Sequence, residues 1–446
     1  MKRNRLTVPI VTILLLLPSL VLAQEGDAGL EGIVININPS AAAQRTPIAV
    51  PDAMDLSGMD PAGLASTISL TLRRDLNLAG YFQVLGPANL FFDQHADGMS
   101  ESTINFTNWF NAGASLLAKT GFRVTGNTVQ LDFRLFDVNA GSQVDLSSFG
   151  YQNASVPFDE VPDHVHEFAN AIIYFASGFP GPFGGQVAFV GRGAGGSREI
   201  FRMTIGGDGM SQVTDNRTIN ILPRWAGSDI VYTSYYRGNP DLVIGAGSNA
   251  RVLSARSGIN SGGALSPNGD VMAITLSQDG NSEIYLIDPT SGDIVSRLTN
   301  DRGEDVDPVW SPSGDQIAFV SDRSGGPQIY IMNADGSDQR RLTFVGRYNT
   351  TPDWSPDGSR VAFTGRDSRN RFDIFTVDVA SSVIERLTQD QGDNESPSWS
   401  PDGQYLVFSS TRGGGEPRLY IMTQDGNSQE LLTREGSGYT MPVWKR

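Results

Sequence analysis

The phrase Pro-x-Trp, followed in its clearest copies by Ser-Pro-x-Gly, recurs along the second half of this chain. The clearest copies begin at Pro308, Pro352 and Pro397. The landmarks that align with the tryptophan are 40, 45, 44, 45 and 45 residues apart, and they are Trp225, Leu265, Trp310, Trp354, Trp399 and Trp444. A repeat of this length is typical of a four-stranded propeller blade, so the spacing predicts a propeller.

Each copy encodes four short strands, and the copy at Trp354 shows them clearly. After the first strand, the Asp-Gly pair at 357–358 supplies the positive φ that a tight hairpin needs. Two β-rich segments follow at 360–364 and 373–377, and the second alternates apolar with polar residues. A fourth segment at 383–388 leads through an acidic loop to the next copy. One repeat therefore corresponds to one four-stranded sheet.

The two ends of the repeat complete each other. Gln186–Val190 resembles a second strand that has no first strand before it, and Met441–Trp444 is a first strand with nothing after it. Joined in one sheet, these fragments close a ring that exposes only short outer edges. We therefore predict an all-β six-bladed propeller closed by the C-terminal strand. Deletion of the last six residues should open and destabilise the ring.

The amino terminus has the pattern of an export signal. The cations Lys2, Arg3 and Arg5 precede an apolar run from Val8 to Leu17. The run is short and flanked or broken by prolines, which disfavours a retained membrane anchor. We expect cleavage after Ala23, so residues 1–23 are predicted to be a signal peptide.

Composition narrows the classes of partner. The chain of 446 residues has a formal net charge of −16 and no cysteine. Loss of the signal removes three cations and no anion, which gives −16 − 3 = −19. This acidity disfavours binding to nucleic acid or anionic lipid. Without cysteine there is neither a disulfide nor a lipid-modified cysteine, so stability must come from the cores of two domains.

Residues 24–181 do not share the repeat and are predicted to form an α/β domain ahead of a propeller at 182–446. Asp60 and Pro61 are read as the cap and first position of a helix in which Leu64, Ile68, Leu72 and Leu76 form one apolar stripe. The other predicted elements are strands at 33–37, 129–138 and 149–151, a helix at 160–176 and a Gly/Pro-rich linker at 178–185.

Propellers occur both as enzymes and as docking platforms, so the presence or absence of catalytic motifs separates the two classes. The three histidines are His95, His164 and His166, and none lies in the propeller. This excludes a Ser-His-Asp site within the ring, and the chain has no Gly-x-Ser-x-Gly motif. His164 and His166 point to different sides of a helix, which favours two solvent-facing side chains over a metal pair. A propeller hydrolase or lyase that acts on envelope peptide or glycan, with paired rim carboxylates as acid and base, stays open as the alternative.

The loops that precede the Pro-x-Trp strands are polar and largely acidic. They comprise 301–307, 347–351 and 390–396, and they converge on the mouth of the central channel. Each residue alone is read as solvated turn chemistry, whereas the whole rim is a candidate binding site. Calcium is a further hypothesis, because Asp305, Asp307 and Glu395 offer the carboxylate oxygens that hard cations take. The repeated tryptophans are interpreted as packing wedges between blades and not as ligand-stacking platforms.

The chain resembles a known family. The residues that carry the resemblance are the blade motifs at 321–332 and 341–343, the amino-terminal segment 33–37, and Leu72-Arg73-Arg74-Asp75-Leu76 leading to Gly80-Tyr81-Phe82. Together they are similar to the TolB family, periplasmic components of the Tol-Pal cell-envelope system. The likeness covers nearly the whole mature chain.

The resemblance implies a non-catalytic, monomeric periplasmic scaffold without a cofactor or direct membrane insertion. It implies roles in outer-membrane integrity and in envelope constriction at cell division. The Pal lipoprotein is expected to bind the channel mouth, at Asn260, Ser261, Gly262, Asp305, Val306, Asp307, Asn349, Thr350, Thr351, Asn394, Glu395 and Ser396. Inner-membrane TolA is expected to bind the amino-terminal segment, at Ile33, Val34, Ile35, Asn36 and Ile37.

Two departures from the family pattern bear on these expectations. Nine residues, 24–32, precede the amino-terminal strand where the family usually begins almost at it. The blade that contains Leu265 has Gly262-Gly263 where other copies have the residue before proline and the proline. Its rim is therefore expected to differ, and a propeller docking module for another envelope protein remains a further reading.

Overall fold

The computed structural model describes residues 34–36 as backbone, and residues 45–58, 60, 63–207 and 209–446. Six small sheets form the propeller, and a seven-stranded sheet forms the core of a preceding α/β domain. The six-bladed fold predicted from the repeat is thus confirmed. The predicted signal peptide, Ile33, Ile37 and Pro61 lie outside the described residues.

Blades are numbered here from the first propeller strand, and their strands are given from the channel outward. Blade 1 comprises Thr440–Trp444, Gln186–Arg192, Arg198–Thr204 and Ser211–Gln212. Blade 2 comprises Asn220–Ala226, Asp229–Ser234, Asp241–Ile244 and Arg251–Ser254. Blade 3 comprises Asn260–Leu265, Met272–Leu276, Glu283–Ile287 and Ile294–Arg297.

The remaining blades repeat this order. Blade 4 comprises Asp305–Trp310, Gln316–Ser321, Gln328–Asn333 and Arg340–Arg341. Blade 5 comprises Asn349–Trp354, Arg360–Arg366, Phe372–Asp378 and Ile384–Arg386. Blade 6 comprises Asn394–Trp399, Tyr405–Ser410, Arg418–Thr423 and Gln429–Leu431.

Blade 1 closes the ring in the way that the sequence predicts. Thr440–Trp444 pairs antiparallel with Gln186–Arg192, so the chain terminus supplies the innermost strand of the first blade. Trp444 is 2% exposed and belongs to the same apolar cluster as Val187 and Phe189. Closure therefore combines a strand ladder with a buried aromatic anchor.

The amino-terminal domain packs helices against a mixed sheet. Its sheet order is Phe82–Leu85, Thr46–Ala49, Leu116–Thr125, Thr128–Asp137 and Ser142–Val144, with Met54–Asp55 and Ser155–Pro157 paired at the sides. Its α-helices are Leu64–Leu78, Phe106–Asn111 and Val161–Ser177. Short 3₁₀ helices lie at Pro87–Asn89, Glu101–Thr103, Ser147–Phe149 and Phe158–Glu160, with two more in the propeller at Ala194–Gly196 and Gly247–Asn249.

The first helix confirms the predicted apolar stripe, because Leu64, Ile68, Leu72 and Leu76 are all buried. Its predicted start is wrong by three residues. The helix begins at Leu64, and Asp60 caps it from a distance by accepting the Leu64 N–H at 2.6 Å. Burial of the stripe and this charge-assisted cap therefore set the helix together.

Two other predictions for this domain are wrong. The segment predicted as a strand at 149–151 instead ends a 3₁₀ helix, in which Phe149 packs edge-on against Tyr174. His164 and His166 are not solvent-facing. His166 is buried with its Nδ1 2.6 Å from Asp75 Oδ2, and His164 Nδ1 lies 2.8 Å from Glu167. The first helix covers His166 through Asp75, and Tyr151 packs edge-on against His164, contacts that the sequence spacing does not reveal.

The propeller has two faces, which differ in their connections. We call the side with the first-to-second and third-to-fourth strand turns the turn face, and the opposite side the channel-mouth face. The amino-terminal domain sits on the turn face at blades 6 and 1. The Tyr405 hydroxyl approaches the Ala79 carbonyl at 3.3 Å, and Arg74 donates to the Leu432 carbonyl at 2.6 Å. Gly80, at φ +77°, lies so close to Ser428 that a side chain there would collide.

The repeated tryptophans wedge neighbouring blades together, as predicted. Trp354 and Trp399 are each 1% exposed. The indole of Trp310 donates to the Ala264 carbonyl of the preceding blade at 3.0 Å, and that of Trp225 donates to Val443 at 3.1 Å. The interpretation of these residues as packing wedges is confirmed.

Buried polar networks also join neighbouring blades at three of the junctions. In blade 5, the Asp373 carboxylate accepts from the Thr388 hydroxyl at 2.8 Å and from the Asn394 amide of blade 6 at 3.0 Å. Glu199 and Gln328 play the same part in blades 1 and 4. At these three junctions the threonine after the fourth strand and the asparagine that begins the next innermost strand are therefore structural, because buried polar groups need hydrogen-bond partners.

Candidate functional site

The innermost strand of every blade contains a β-bulge at the same place. The residue that precedes the proline of Pro-x-Trp, or its equivalent, has a φ between 51° and 69° in all six blades. These six residues are Leu222, Gly262, Asp307, Thr351, Ser396 and Met441. The strand register shifts across each of them. We call this set the bulge ring.

The bulge ring is strained for a reason. Left-handed backbone costs on the order of 1 kcal/mol for a residue other than glycine. Five of the six positions nevertheless carry a side chain, and glycine occurs only at Gly262. Bulges redirect side chains at functional rims. In each blade the bulge therefore changes the direction of one residue at the channel-mouth end of the central channel.

The predicted Pal-facing residues fall into equivalent triplets, and the structure separates their members. The first member is buried in the inter-blade network in every case, at Asn260, Asp305, Asn349 and Asn394. These four were predicted to face a partner, and their burial argues against direct contact. The solvated-turn interpretation of Asp305 is likewise wrong, because the residue is 0% exposed. Partly exposed positions are Ser261, Val306, Asp307, Thr350, Thr351, Glu395 and Ser396, whereas Gly262 is buried.

Sequence reasoning missed the members of the ring in blades 1 and 2. Leu222 and Met441 each stand immediately before a Pro-x-Trp phrase, as the predicted residues Asp307, Thr351 and Ser396 do. Both side chains are partly exposed. Alignment of all copies of the phrase would have identified them.

Charges inside the channel are arranged across blades. Arg224 of blade 2 lies 3.5 Å from Asp307 of blade 4. Arg446, the last residue, donates to Asp353 of blade 5 at 2.8 Å. Burial raises the pKa of the Asp307 carboxyl, Arg224 opposes this, and Asp353 adds to it. The acidic channel is therefore partly neutralised by arginines that reach in from other parts of the ring.

The three carboxylates considered for calcium are already engaged or separated. Asp305 Oδ2 accepts from Arg323 at 2.6 Å, and Asp307 faces Arg224. Burial raises the pKa of Glu395, and the nearby Asp393 carboxylate raises it further. Within the described ranges, no three histidine or acidic side chains converge as a metal site. Calcium stays an untested prediction that this geometry does not favour.

The amino-terminal segment also has a defined place. Val34–Asn36 adds a fifth, parallel strand to blade 5, with Val34 opposite Ile384. The other five blades have four strands each. An unpaired outer edge is a ready template for another strand, and this segment occupies that template in blade 5.

Comparison with known proteins agrees with the architecture. The model of the TolB beta propeller domain matches residues 176–373 and 349–446, and the model of the TolB amino-terminal domain matches residues 33–144. The chain belongs to the TolB family. Family membership explains why a propeller and this particular α/β domain occur together, and it favours a component that is not an enzyme.

Relatives of the TolB family align along most of the chain. The Tol-Pal system protein TolB of Anaeromyxobacter dehalogenans (strain 2CP-1) is 36% identical over 429 residues, 93% of this chain and 97% of that protein. The Tol-Pal system protein TolB of Desulfosudis oleivorans is 34% identical over 263 residues, 58% of each chain. The crystal structure of TolB from Acinetobacter baumannii superposes with a TM-score of 0.75 at 26% identity, covering 94% of this chain and 98% of that one.

The α-helices given above belong to the described part of this TolB-family chain. Across the described residues, none combines the length and apolar character that a bilayer crossing requires. The family assignment therefore directs attention to the two surfaces above, the bulge ring and the blade 5 edge.

Proposed function

We propose that this chain is a non-catalytic periplasmic scaffold of the Tol-Pal system that connects the peptidoglycan-associated lipoprotein Pal with inner-membrane TolA. In this role it serves outer-membrane integrity and envelope constriction at cell division. The observation that carries the proposal is the bulge ring, because six equivalent strained positions converge on one opening. Family membership supplies the partners.

Pal is proposed to bind at the channel mouth, where the partly exposed members of the predicted triplets line the opening. Asp307 is the most informative residue there. Its carboxylate lies 3.5 Å from the Arg224 guanidinium. An arginine at position 307 would therefore bring two positive charges together, and they would repel each other. A charge reversal at residue 307 therefore disturbs the mouth more than the loss of one contact.

TolA is proposed to recognise the segment 33–37 as an extended strand. Strand addition supplies main-chain hydrogen bonds to such a partner. The same backbone groups pair with blade 5 when Val34–Asn36 is docked there. Docking and TolA binding are therefore competing states of one segment, and Pal would couple to TolA if it binds one state better than the other.

Calorimetry with the mature protein and a soluble Pal domain tests the first contact, with and without calcium. We expect binding to the wild type and its loss in Asp307→Arg. Asp229→Arg is the matched control, because Asp229 is an exposed carboxylate directly after the first-to-second strand turn of blade 2, on the opposite face. Wild-type protein that does not bind Pal would overturn the proposal, and equal loss in both variants would place the partner elsewhere.

The second contact is tested with a proline. Ile35→Pro removes a main-chain N–H from the segment and prevents it from adding to a sheet. We expect it to abolish binding of the soluble TolA domain and to leave Pal binding within about threefold of wild type. Unchanged TolA binding would exclude strand addition as the mode of recognition.

A further inference from the structure

The channel-mouth face has one apolar sector. Among the described residues, its loops expose five large apolar side chains, and four of them lie around blade 2. We call these four the blade 2 patch, and they are Ile219, Tyr235, Tyr236 and Ile259. The fifth, Phe344, stands apart in the connection from blade 4 to blade 5. Clustered exposed apolar groups on a soluble protein mark interaction sites.

Backbone hydrogen bonds hold the patch together. The Tyr235 N–H donates to the Ile219 carbonyl at 2.9 Å, which places these two loops side by side. The N–H of Asn260, the residue after Ile259, donates to the Pro240 carbonyl at 3.0 Å. The patch is therefore a defined surface next to Leu222 and Gly262 of the bulge ring, and not a set of independent loop tips.

Blades 4 and 6 pack the residue equivalent to Tyr236 against a tyrosine ring that blade 2 lacks. The Tyr236 N–H donates to the hydroxyl of the serine two residues earlier, at 3.3 Å. Arg323 in blade 4 and Arg412 in blade 6 make the same backbone hydrogen bond, at 3.4 Å and 3.2 Å, so they are the equivalent residues. These arginines fold back, and their guanidinium carbons lie 5.1 Å from the Tyr330 ring and 4.4 Å from the Tyr420 ring.

Blade 2 has Val243 where blades 4 and 6 have those tyrosines. The side chain at position 236 therefore has no tyrosine ring on the next strand to pack against. Tyr236 is 70% exposed. The packing of its own blade does not need this side chain. Exposed tyrosine is a strong anchor in protein interfaces, since it offers large contact area at a low entropic cost.

Arginines border the patch although the protein as a whole is acidic, and one of them, Arg237, pairs with the Asp241 carboxylate at 3.6 Å. The chain has a formal net charge of −16, yet three exposed arginines border the patch, namely Arg198, Arg217 and Arg237. The Arg198 N–H donates to Thr218 at 2.9 Å, directly beside Ile219. Arg198 and Arg217 have no ion-pair partner in the described part of the chain. A complementary surface therefore presents an apolar side chain bordered by carboxylates.

We propose that the blade 2 patch is a docking surface for the protein bound at the channel mouth, and that it sets the rotation of that protein on the ring. The inference rests on the proposed function. The bulge ring repeats one backbone six times, so by itself it offers six similar settings to a partner. The patch distinguishes one setting, because a partner with an apolar side chain bordered by carboxylates gains its full contact only there.

Binding of a soluble Pal domain to Tyr236→Ser tests the contact by calorimetry. We expect affinity at least about tenfold weaker than wild type, the loss typical of an interface anchor. Phe91→Ser is the control, since Phe91 is 69% exposed but lies in the amino-terminal domain. Wild-type affinity in Tyr236→Ser would overturn this inference and leave the proposed function standing. Failure of the wild-type protein to bind would overturn both.

Crosslinking tests the rotation. Because the chain has no cysteine, Tyr236→Cys and Phe344→Cys each provide a single attachment point for a photoreactive maleimide. We expect the label at residue 236 to crosslink one short segment of Pal, and the label at residue 344 to crosslink a different segment or none. The same segment recovered from both sites in similar yield would show that Pal binds in several settings, and would overturn the assigned role.

Discussion

Blades 4 and 2 share one backbone pattern and use it differently. In blade 4 the innermost strand begins with Asp305, whose carboxylate accepts from Arg323 at 2.6 Å. In blade 2 the equivalent residue is Asn220, which is bonded to Glu199 at 2.9 Å, and the position of Arg323 holds the exposed Tyr236. In blade 4 the Arg323 side chain packs inside the blade, whereas in blade 2 the Tyr236 side chain is exposed on the surface.

The difference shows in which blade this position is free to bind a partner. Arg323 is required inside blade 4, because Asp305 is fully buried and close to Glu283. The neutral Asn220 creates no such need in blade 2. In blade 2 the internal network is satisfied without residue 236, so its side chain is available to a partner.

Blade 1 extends the comparison, because its strands come from both ends of the propeller. Deletion of 441–446 removes the ladder to Gln186–Arg192, the buried Trp444 and the Arg446–Asp353 pair. We expect the free energy of unfolding to fall by at least about 5 kcal/mol, which is more than one buried tryptophan contributes. Urea unfolding measures this, with Arg446→Ala as the control. An unchanged midpoint in the deletion would refute closure by this strand.

Arg323→Met in blade 4 should destabilise the protein much more than a substitution at the equivalent position of blade 2. It leaves the Asp305 carboxylate buried without its cation, and we expect a loss of about 3 kcal/mol at neutral pH. Tyr236→Ser, at the equivalent position of blade 2, should change the free energy of unfolding by less than about 0.5 kcal/mol. Thermal and urea unfolding of both variants decide the matter, and similar losses would contradict the comparison.

Asp305→Asn should give blade 4 the asparagine that begins the innermost strand of blades 2, 3, 5 and 6. Burial raises the pKa of Asp305 to about 6, against opposition from Ser321 and Arg323 and with a contribution from Glu283. The folded state therefore holds this proton more tightly than the unfolded chain, whose aspartate pKa is about 3.9. The stability that this group contributes is present below pH 4 and is lost as the pH rises through about 6.

The Asn variant should lack that pH-dependent loss. Between pH 4 and pH 7 it should gain on the order of 2 to 3 kcal/mol relative to wild type. Blade 6 shows that asparagine fits, since Asn394 accepts from Arg412 at 2.9 Å. Urea unfolding across this pH range measures the gain. Parallel stability profiles for the two proteins would mean that Asp305 titrates normally.

Ser396→Gly tests the smallest effect, the strain of the bulge ring. Ser396 has a φ of 56°, and the equivalent residue of blade 3 is already Gly262. Glycine at position 396 should relieve backbone strain and raise the free energy of unfolding by about 0.5 to 1 kcal/mol. The reverse change, Gly262→Ser, should lower it by a similar amount. Opposite signs in urea unfolding would show that the side chains outweigh the strain.

Much of the architecture could be predicted because the repeat is local. The Pro-x-Trp phrase and the Asp-Gly turns define each blade within about 45 residues. The closing strand followed from counting what was missing at each end. The site was harder to predict, because burial separates neighbouring residues. Asn394 is buried in the network while Glu395 is partly exposed, and both were assigned to the same loop.

The sequence by itself determined the blade period, the closure and the family, since these depend on spacing and on residues with strong local preferences. Tertiary structure alone decided which side chains are available. Arg224 meets Asp307 across 83 residues of chain, and Tyr236 is exposed in a blade whose next strand has Val243 where blades 4 and 6 have tyrosine. Both results depend on contacts between strands, and the physical reason is that side-chain exposure is set by neighbours in space and not by neighbours in sequence.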